Sequence, residues 1–298
     1  MQIFDCFMFY DEEMVLDIRL NYLNNFVDKF VIIESEYTHS GKKRKLIFNI
    51  NNYPKFKNKI IYIISREEPK NLSKIIEEDD EDKRNSKYIL NALKRENFQR
   101  NEIQRGLVNV KSDDIIIISD VDEIPKLENF NIKNISKKIV IFKQNLFYYK
   151  FNLKLNSFNW HGSKACRKKD LISPQWLRNI KDKKYPFWRL DTFFSKKKYM
   201  SIDFVNEGGW HFCNIKTPEN IEKKLTTFLH HREYDLEPIG LEKIKEIIKS
   251  KKTIHNLKAD MKTNKLYGTH TLVVSELNEL PIYIKDNIHK FKEWIEKK

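Results

Sequence analysis

Hydrophobic and polar positions in the first half of the chain follow two alternating patterns. Continuous apolar runs, rich in Ile, Val and Phe, predict four strands that are buried within a sheet: residues 2–9, 29–33, 59–64 and 115–118. Apolar side chains recur at helical spacing over residues 11–25 and 86–108. This alternation predicts an α/β fold with a mostly parallel sheet and crossover helices.

The second half of the chain has a different pattern. Residues 138–153 are rich in aromatic and β-branched side chains, which favour strands. Thr217 and Pro218 predict the start of a helix, as N-cap and first helical residue. Another helix is predicted after Pro281, where four apolar side chains form a stripe: Ile284, Ile288, Phe291 and Ile295. The stripe suits either packing against the rest of the chain or peripheral contact with a membrane, its lysines outward.

Composition narrows the classes of function. The chain has 298 residues, 40% of them hydrophobic, which is enough for a substantial core. The net charge is +14, yet only 11 of the 56 basic residues are Arg. Because Arg is the residue that recognises phosphates and bases bidentately, this Lys-dominated excess is weak evidence for a nucleic-acid-binding protein. We therefore expect no nucleic-acid partner, although a basic nucleic-acid-binding protein is the alternative from another class.

Cysteine usage and the hydropathy of the chain bear on its location. Cys6, Cys166 and Cys213 lie far apart and form no CxxC pair, so neither a disulfide framework nor a zinc knuckle is indicated. The first residues lack the basic and apolar regions of a signal peptide, and no apolar run reaches about 18 residues. We expect a cytoplasmic protein.

A cluster of carboxylates marks the candidate site. Asp120, Asp122 and Glu123 directly follow the 115–118 run and Ser119. Ligands bind at the carboxyl ends of strands in α/β sheets, and crowded carboxylates are most simply compensated by a divalent cation. Such a cation completes its shell with water and substrate phosphate oxygens. The residues therefore predict a metal-dependent enzyme that handles a diphosphate, and a nucleotidyltransferase or phosphohydrolase stays an alternative.

Five blocks in order resemble glycosyltransferase family 17, which includes the enzyme that adds the bisecting N-acetylglucosamine to N-glycans. They are Phe4–Phe9 with Glu12–Glu13 and Leu16–Leu20, Val27–Ser35 with Thr38 and Gly41, Phe98–Asn101 with Arg105–Leu107, Asp120–Pro125, and Gly209–His211 with Thr217–Glu219. The resemblance covers about residues 3 to 230. It implies a GT-A fold, which is a Rossmann-like, mostly parallel sheet with flanking helices. It also implies an inverting transfer of a sugar from a UDP-sugar, UDP-N-acetylglucosamine above all, to a glycan acceptor.

The resemblance also implies roles for the carboxylates. Asp122 would bind Mn²⁺ or Mg²⁺ directly, and Asp120 would contact the metal or the donor ribose. His211 would be a further metal ligand, since imidazole suits manganese-like ions. The alternatives are a turn-capping role for the aspartates and a hydrogen-bonded core position for His211. Glu123 would orient the loop.

Further residues are candidates for the general base and for binding the donor. An inverting transfer needs a base near the acceptor hydroxyl, and a carboxylate is the usual one. Glu207 is the first candidate, because it precedes a Gly-Gly pair near the presumed metal site, and Asp191 and Asp203 compete with it. Three residues are expected at the donor's phosphates or nucleoside: Glu34, Arg100 and Arg105. Three aromatic side chains are candidates for stacking on sugars, although core packing is the alternative: Tyr148, Tyr149 and Trp160.

The expected organisation is one catalytic domain with an extension. The GT-A domain would span residues 1–235, with a nucleotide-sugar half over about residues 1–125 and an acceptor half over about residues 126–235. Residues 236–298 would form a helical extension packed on it. The six acidic residues from Glu77 to Asp82 predict a solvated loop, because like charges repel and resist packing.

Overall fold

The computed structural model describes residues 1–183, 195, 197–199, 201–227, 231–254 and 270–297. Its strands are β1 Ile3–Met8, β2 Lys29–Ser35, β3 Ile60–Ser65, β4 Ile115–Asp120, β5 Glu123–Pro125, β6 Ile139–Phe142, β7 Gln144–Tyr148, β8 Leu153–Trp160, β9 Lys164–Arg167, β10 Ile202–Val205, β11 Gly209–Cys213 and β12 Val273–Val274. Its α-helices are α1 Glu13–Leu23, α2 Glu81–Glu102, α3 Pro174–Asn179, α4 Pro218–Leu225, α5 His231–Leu236, α6 Gly240–Lys249 and α7 Ile282–Asp286.

Seven strands form the larger sheet, in the order β10-β6-β9-β4-β1-β2-β3. Only β9 runs antiparallel to its neighbours. The register aligns Met8 of β1 with Asp120 of β4 and with Ile33 of β2. The carboxyl ends of these three strands therefore lie at one edge of the sheet. The predicted α/β class and mostly parallel sheet are confirmed.

The larger sheet is buried on both faces, as its continuous apolar runs predict. Within β4, Ile115 and Ile117 belong to one core cluster, and Ile116 and Ile118 belong to the cluster on the opposite face. Helix α1 and the C-terminal segment contribute to the first cluster, and the 3₁₀ turn Ile103–Leu107 and α3 contribute to the second. A layer thus covers each face of the sheet.

A second sheet adjoins the first at the predicted metal motif. Its order is β12-β8-β7-β11-β5, and only β7 and β11 are parallel. Strand β5 begins three residues after β4 ends, and its Glu123 pairs with His211 of β11. Gly209 makes this pairing possible, because its φ is +133° and a Cβ there would lie 2.1 Å from the carbonyl oxygen of Ile124. The Gly-Gly pair is thus a close packing point.

The acidic run is not a solvated loop throughout, so this prediction is corrected. Asp80 caps α2 by accepting a hydrogen bond from the Lys83 amide, and Glu81 begins the helix. Asp79 is buried and forms an ion pair with Lys87. The negative residues suit the helix N-terminus, where the macrodipole is positive.

The C-terminal stripe does not form one continuous helix. Helix α7 ends at Asp286, Asn287 has a φ of −120°, and a 3₁₀ turn spans Ile288–Trp294. Two residues of the stripe, Ile284 and Phe291, are buried in the first core cluster, so these two side chains pack against the rest of the chain, whereas Ile288 is exposed. The C-terminal segment also holds a strand, β12, which pairs with β8. Across the described part of the chain, every helix is too short or too polar to cross a bilayer.

Candidate active site

A cavity of about 400 Å³ opens where the two sheets meet. Its walls come from the residues after β1, from the end of β2 and the loop after it, from the Asp120–Glu123 loop, and from β7, β11, α2 and α4. The cavity thus lies at the carboxyl ends of parallel strands, where α/β sheets bind ligands. Both the chain's carboxylate cluster and its late histidine face this space.

The backbone of the carboxylate loop is fixed by a buried arginine. Arg19, on α1, is fully buried and pairs with Asp5 of β1 at 2.6 Å. The same guanidinium donates to the carbonyl oxygens of Asp120, Val121 and Glu123, at 3.0, 3.2 and 2.7 Å. Because the Arg19 guanidinium is charged and shielded from water, its hydrogen bonds hold the loop in a defined shape.

The Asp120 carboxylate is held between two arginines. Arg100 of α2 donates to Oδ1 at 3.0 Å, and Arg178 of α3 donates to Oδ2 at 2.9 Å. Burial alone would raise the pKa of Asp120, but the charges of Arg178 and Arg100 outweigh it and hold the pKa well below its usual value. Asp120 is therefore a fixed anion with both oxygens already engaged.

Glu123 is enclosed by hydrogen bonds. Arg178 donates to both carboxylate oxygens, at 2.6 and 2.8 Å, and the Trp160 indole donates to Oε1. The Asp120 amide donates to Oε2 at 2.9 Å. Since its side chain is fully buried, Glu123 orients the loop and the Trp160 ring.

Asp122 and His211 form the second part of the site, beside the clamped Asp120. His211 Nε2 lies 3.6 Å from Asp122 Oδ1 and 3.3 Å from Cys213 Sγ. Burial would lower the pKa of His211, but Cys213 and Asp122 raise it well above its usual value. His211 in turn lowers the pKa of Asp122 against the effect of burial. Among the described residues, the buried Nδ1 of His211 has no hydrogen-bond partner.

This donor set restricts how a cation is held. In the described part of the chain, no three His, Cys, Asp or Glu side chains are grouped to hold a metal ion. A carboxylate suits Mn²⁺ or Mg²⁺ when the ion takes its remaining ligands from a diphosphate and water, and an imidazole is a common ligand of transition-metal ions. The residues therefore fit a cation bound together with a nucleotide, with Asp122 and His211 as its protein ligands.

A comparison of the chain with protein-family models identifies its family. The family model described as glycosyltransferase family 17 matches residues 1–295. The chain belongs to glycosyltransferase family 17. The resemblance predicted from five blocks is thus confirmed, and the match extends beyond residue 230, where the blocks end. No curated protein matches the chain.

Membership of family 17 makes the protein a glycosyltransferase, an enzyme with a sugar donor and a glycan acceptor. The structure brings together several of the predicted site residues at the cavity: Arg100, Asp120, Asp122, Tyr148, Trp160 and His211. Tyr149 lies elsewhere, because its buried ring belongs to the core and its hydroxyl donates to the Lys252 carbonyl.

Two predicted donor-binding residues of this family 17 enzyme lie away from the cavity. Glu34 is fully buried, pairs with Arg44, and accepts hydrogen bonds from the amides of Ile47 and Phe48. It therefore anchors the segment after β2. Arg105 is 55% exposed and pairs with Glu102, because the chain leaves α2 for a 3₁₀ turn before reaching it.

Two of the three candidate general bases, Glu207 and Asp203, are also not at the cavity wall. Glu207 is exposed, has a φ of 48°, and accepts a hydrogen bond from Asn145. Asp203 lies on β10, at the far edge of the larger sheet. Asp191 lies outside the described residues. The assignment of the base to Glu207 or Asp191 stays a prediction.

Four residues at or beside the cavity were not predicted from the sequence as site residues: Arg19, His39, Arg178 and Lys224. His39 Nε2 forms a hydrogen bond with Gln99 Oε1 at 3.2 Å, and burial lowers the pKa of His39. Arg19 had a local signal, because it is a charged residue within the apolar pattern of a predicted helix. Arg178 had none, since Asp120 and Glu123 are distant in sequence, and Lys224 had none, since the cavity that it lines is formed by segments distant in sequence.

Proposed function

We propose that this glycosyltransferase moves a sugar, N-acetylglucosamine above all, from a UDP-sugar to a hydroxyl of a glycan, with Mn²⁺ or Mg²⁺ and with inversion. The observation that carries the proposal is the Asp122–His211 pair, which lies beside Asp120 and its two arginines. These residues line a cavity at the carboxyl ends of parallel strands. A GT-A arrangement is part of this proposal, and the parallel order of β4, β1, β2 and β3 supports it.

The residues of the site would divide the work of binding. Asp122 and His211 would hold the cation, which supplies Lewis-acid stabilisation of the departing diphosphate. Asp120 is already paired with Arg100 and Arg178, so we assign it to the donor ribose rather than to direct ligation of the metal. Arg19 and Glu123 would keep these carboxylates in place while substrates enter and leave.

The transfer would be a single displacement. The oxygen of the acceptor hydroxyl attacks the anomeric carbon, and the bond from that carbon to the diphosphate oxygen breaks. Its electron pair leaves with UDP, and the hydroxyl proton passes to a carboxylate base. The acceptor would approach along the wall formed by Leu146, Tyr148 and Trp160, where flat aromatic side chains suit the apolar faces of sugar rings.

A two-stage experiment tests the proposal. Thermal unfolding is followed with a panel of nucleotide sugars, with and without Mn²⁺, because a ligand that binds only the native state raises the melting temperature. We expect the largest shift with UDP-N-acetylglucosamine and Mn²⁺ together. Products are then analysed with glycan acceptors. Release of UDP and a glycosylated acceptor supports the proposal, whereas release of a nucleoside monophosphate shows nucleotidyl transfer or phosphohydrolysis instead.

A cytoplasmic location belongs to the same proposal. All three cysteines, Cys6, Cys166 and Cys213, are free thiols, which supports a reducing compartment. Fractionation of cells that produce the untagged full chain tests it, and recovery of the protein with secretory compartments would contradict it.

A further inference from the structure

A lysine that the transfer mechanism does not yet use lies in the wall of the cavity. Lys224 is in the last turn of α4, which Thr217 caps at its start. Ile221 and Leu225 of the same helix are buried in the third core cluster. Their packing fixes the rotation of α4, so that Lys224 is half-buried at the cavity while its neighbour Lys223 is exposed.

Contacts at the end of α4 hold Lys224 near the donor side of the cavity. The carbonyl oxygen of Thr227 accepts a hydrogen bond from the Ser40 amide, at 3.4 Å. Ser40 belongs to the loop after β2, and Thr38 and His39 of that loop line the cavity. Helix α4, which carries the lysine, thus packs on the third core cluster and also contacts the loop after β2.

The charges around Lys224 are negative but not in contact with it. Burial would lower the pKa of Lys224, yet Asp122 and Glu12 raise it above its usual value. Neither carboxylate lies within the 4.0 Å of an ion pair with this amine. Glu12 and Asp11 are instead paired with Lys216. Lys224 is therefore a charged ammonium in the cavity wall whose neighbouring carboxylates leave its hydrogens available.

We propose that Lys224 binds the diphosphate of the sugar nucleotide, as a second cation on the side of the cavity formed by α4. This inference rests on the proposed function. When the bond to the sugar breaks, one more negative charge develops on the diphosphate. A positioned ammonium in a partly desolvated site stabilises such charge more than bulk water does. Lys224 would thus bind the donor and favour the leaving of UDP, in addition to the cation that Asp122 and His211 would hold.

The test compares UDP with uridine, which lacks the diphosphate. Binding to the full chain is measured with and without Mn²⁺ for Lys224→Met, Lys224→Arg and the matched control Lys223→Met. A charge-assisted hydrogen bond contributes about 1.5–3 kcal/mol, so Lys224→Met should weaken UDP binding about 10- to 100-fold. Uridine binding should not change, Lys224→Arg should retain most of the UDP affinity, and Lys223→Met should behave as the wild type.

Other outcomes overturn the inference. Equal UDP affinity of Lys224→Met and the wild type would show that Lys224 does not contact the diphosphate. An equal loss of uridine and UDP affinity, or an equal loss in Lys224→Arg, would show that the residue only supports the fold of the wall. If the wild type binds UDP but Lys224→Met binds it equally well, only the inference about Lys224 fails. If the wild type binds no UDP, the proposed function fails as well.

Discussion

Arg178 donates to Asp120 Oδ2 at 2.9 Å, and this pair ties helix α3 to the carboxyl end of β4. The same guanidinium pairs with the buried Glu123, and its Nη1 also donates to the carbonyl oxygen of Gly162. One side chain therefore holds two of the three motif carboxylates, which leaves Asp122 as the carboxylate that is open to a cation.

Loss of this arginine should affect stability and donor binding in separable ways. In Arg178→Gln, the buried Glu123 keeps its hydrogen bonds from Trp160 and from the Asp120 amide but loses its charged partner, which costs about 3–5 kcal/mol of unfolding free energy. Arg178→Lys keeps the charge but cannot form the fork to both carboxylates, so we expect a higher KM for the donor with a smaller loss of stability. Chemical denaturation and initial-rate kinetics measure the two effects.

Arg105→Gln is the matched control for these variants, because Arg105 is an exposed arginine with a surface ion pair. Its unfolding free energy should change by less than about 0.5 kcal/mol. A wild-type donor KM in Arg178→Lys would show that the clamp on Asp120 does not position the donor.

Much of the fold could be predicted from local patterns. Strand β4 begins with four isoleucines that are buried on both faces of the sheet. The predicted boundaries of β1, β2 and β3 lie within a few residues of the observed ones. The Asp79–Asp82 segment could not be predicted correctly, because its role depends on Lys87 and on the start of α2.

The site could be predicted only in part. Asp120 and Asp122 follow a strand directly, so the sequence alone indicates a ligand-binding end of a sheet. Arg178 is 58 positions from Asp120, and only the packing of α3 against β4 and β9 brings them together. The family resemblance indicated His211 as a site residue, but the pairing of β11 with β5 that brings it to the site was not predicted.

Cys213 provides a chemical probe of the cavity. Cys6 and Cys166 are fully buried, and burial raises the pKa of both thiols, whereas Cys213 is half-buried at the cavity wall. We expect a maleimide to modify Cys213 in the native protein, and UDP with Mn²⁺ at about ten times Kd to slow the reaction about tenfold. Peptide mass spectrometry over time measures this, with Cys213→Ser as the control. Labelling at an unchanged rate would show that the nucleotide does not occupy the cavity.

Lys164 should make stability depend on pH in the alkaline range. Burial, and then the charge of Arg178, lowers the pKa of this lysine to about 8, while its amine donates to the carbonyl oxygens of Arg178 and Ile180. Between about pH 8 and about pH 10.5, the unfolded chain binds more protons than the native one, so this group adds stability as pH rises.

The matched variant for this effect is Lys164→Met, which cannot titrate. The unfolding free energy of the wild type minus that of Lys164→Met should increase by about 2–3 kcal/mol between about pH 7 and about pH 10. Urea denaturation at several pH values measures the difference. A constant difference would mean that Lys164 has an ordinary pKa in the folded protein.

The most direct test of the account is the rate of UDP formation from UDP-N-acetylglucosamine and a glycan acceptor, for the wild type and for Asp122→Asn. We expect wild-type UDP formation to require Mn²⁺ or Mg²⁺ and to stop in excess chelator. Asp122→Asn should lose at least about 100-fold in rate at an unchanged melting temperature, because a cation ligand is removed while Arg19, Arg100 and Arg178 still hold the loop. Full activity of the wild type in chelator, or of Asp122→Asn, would contradict the account.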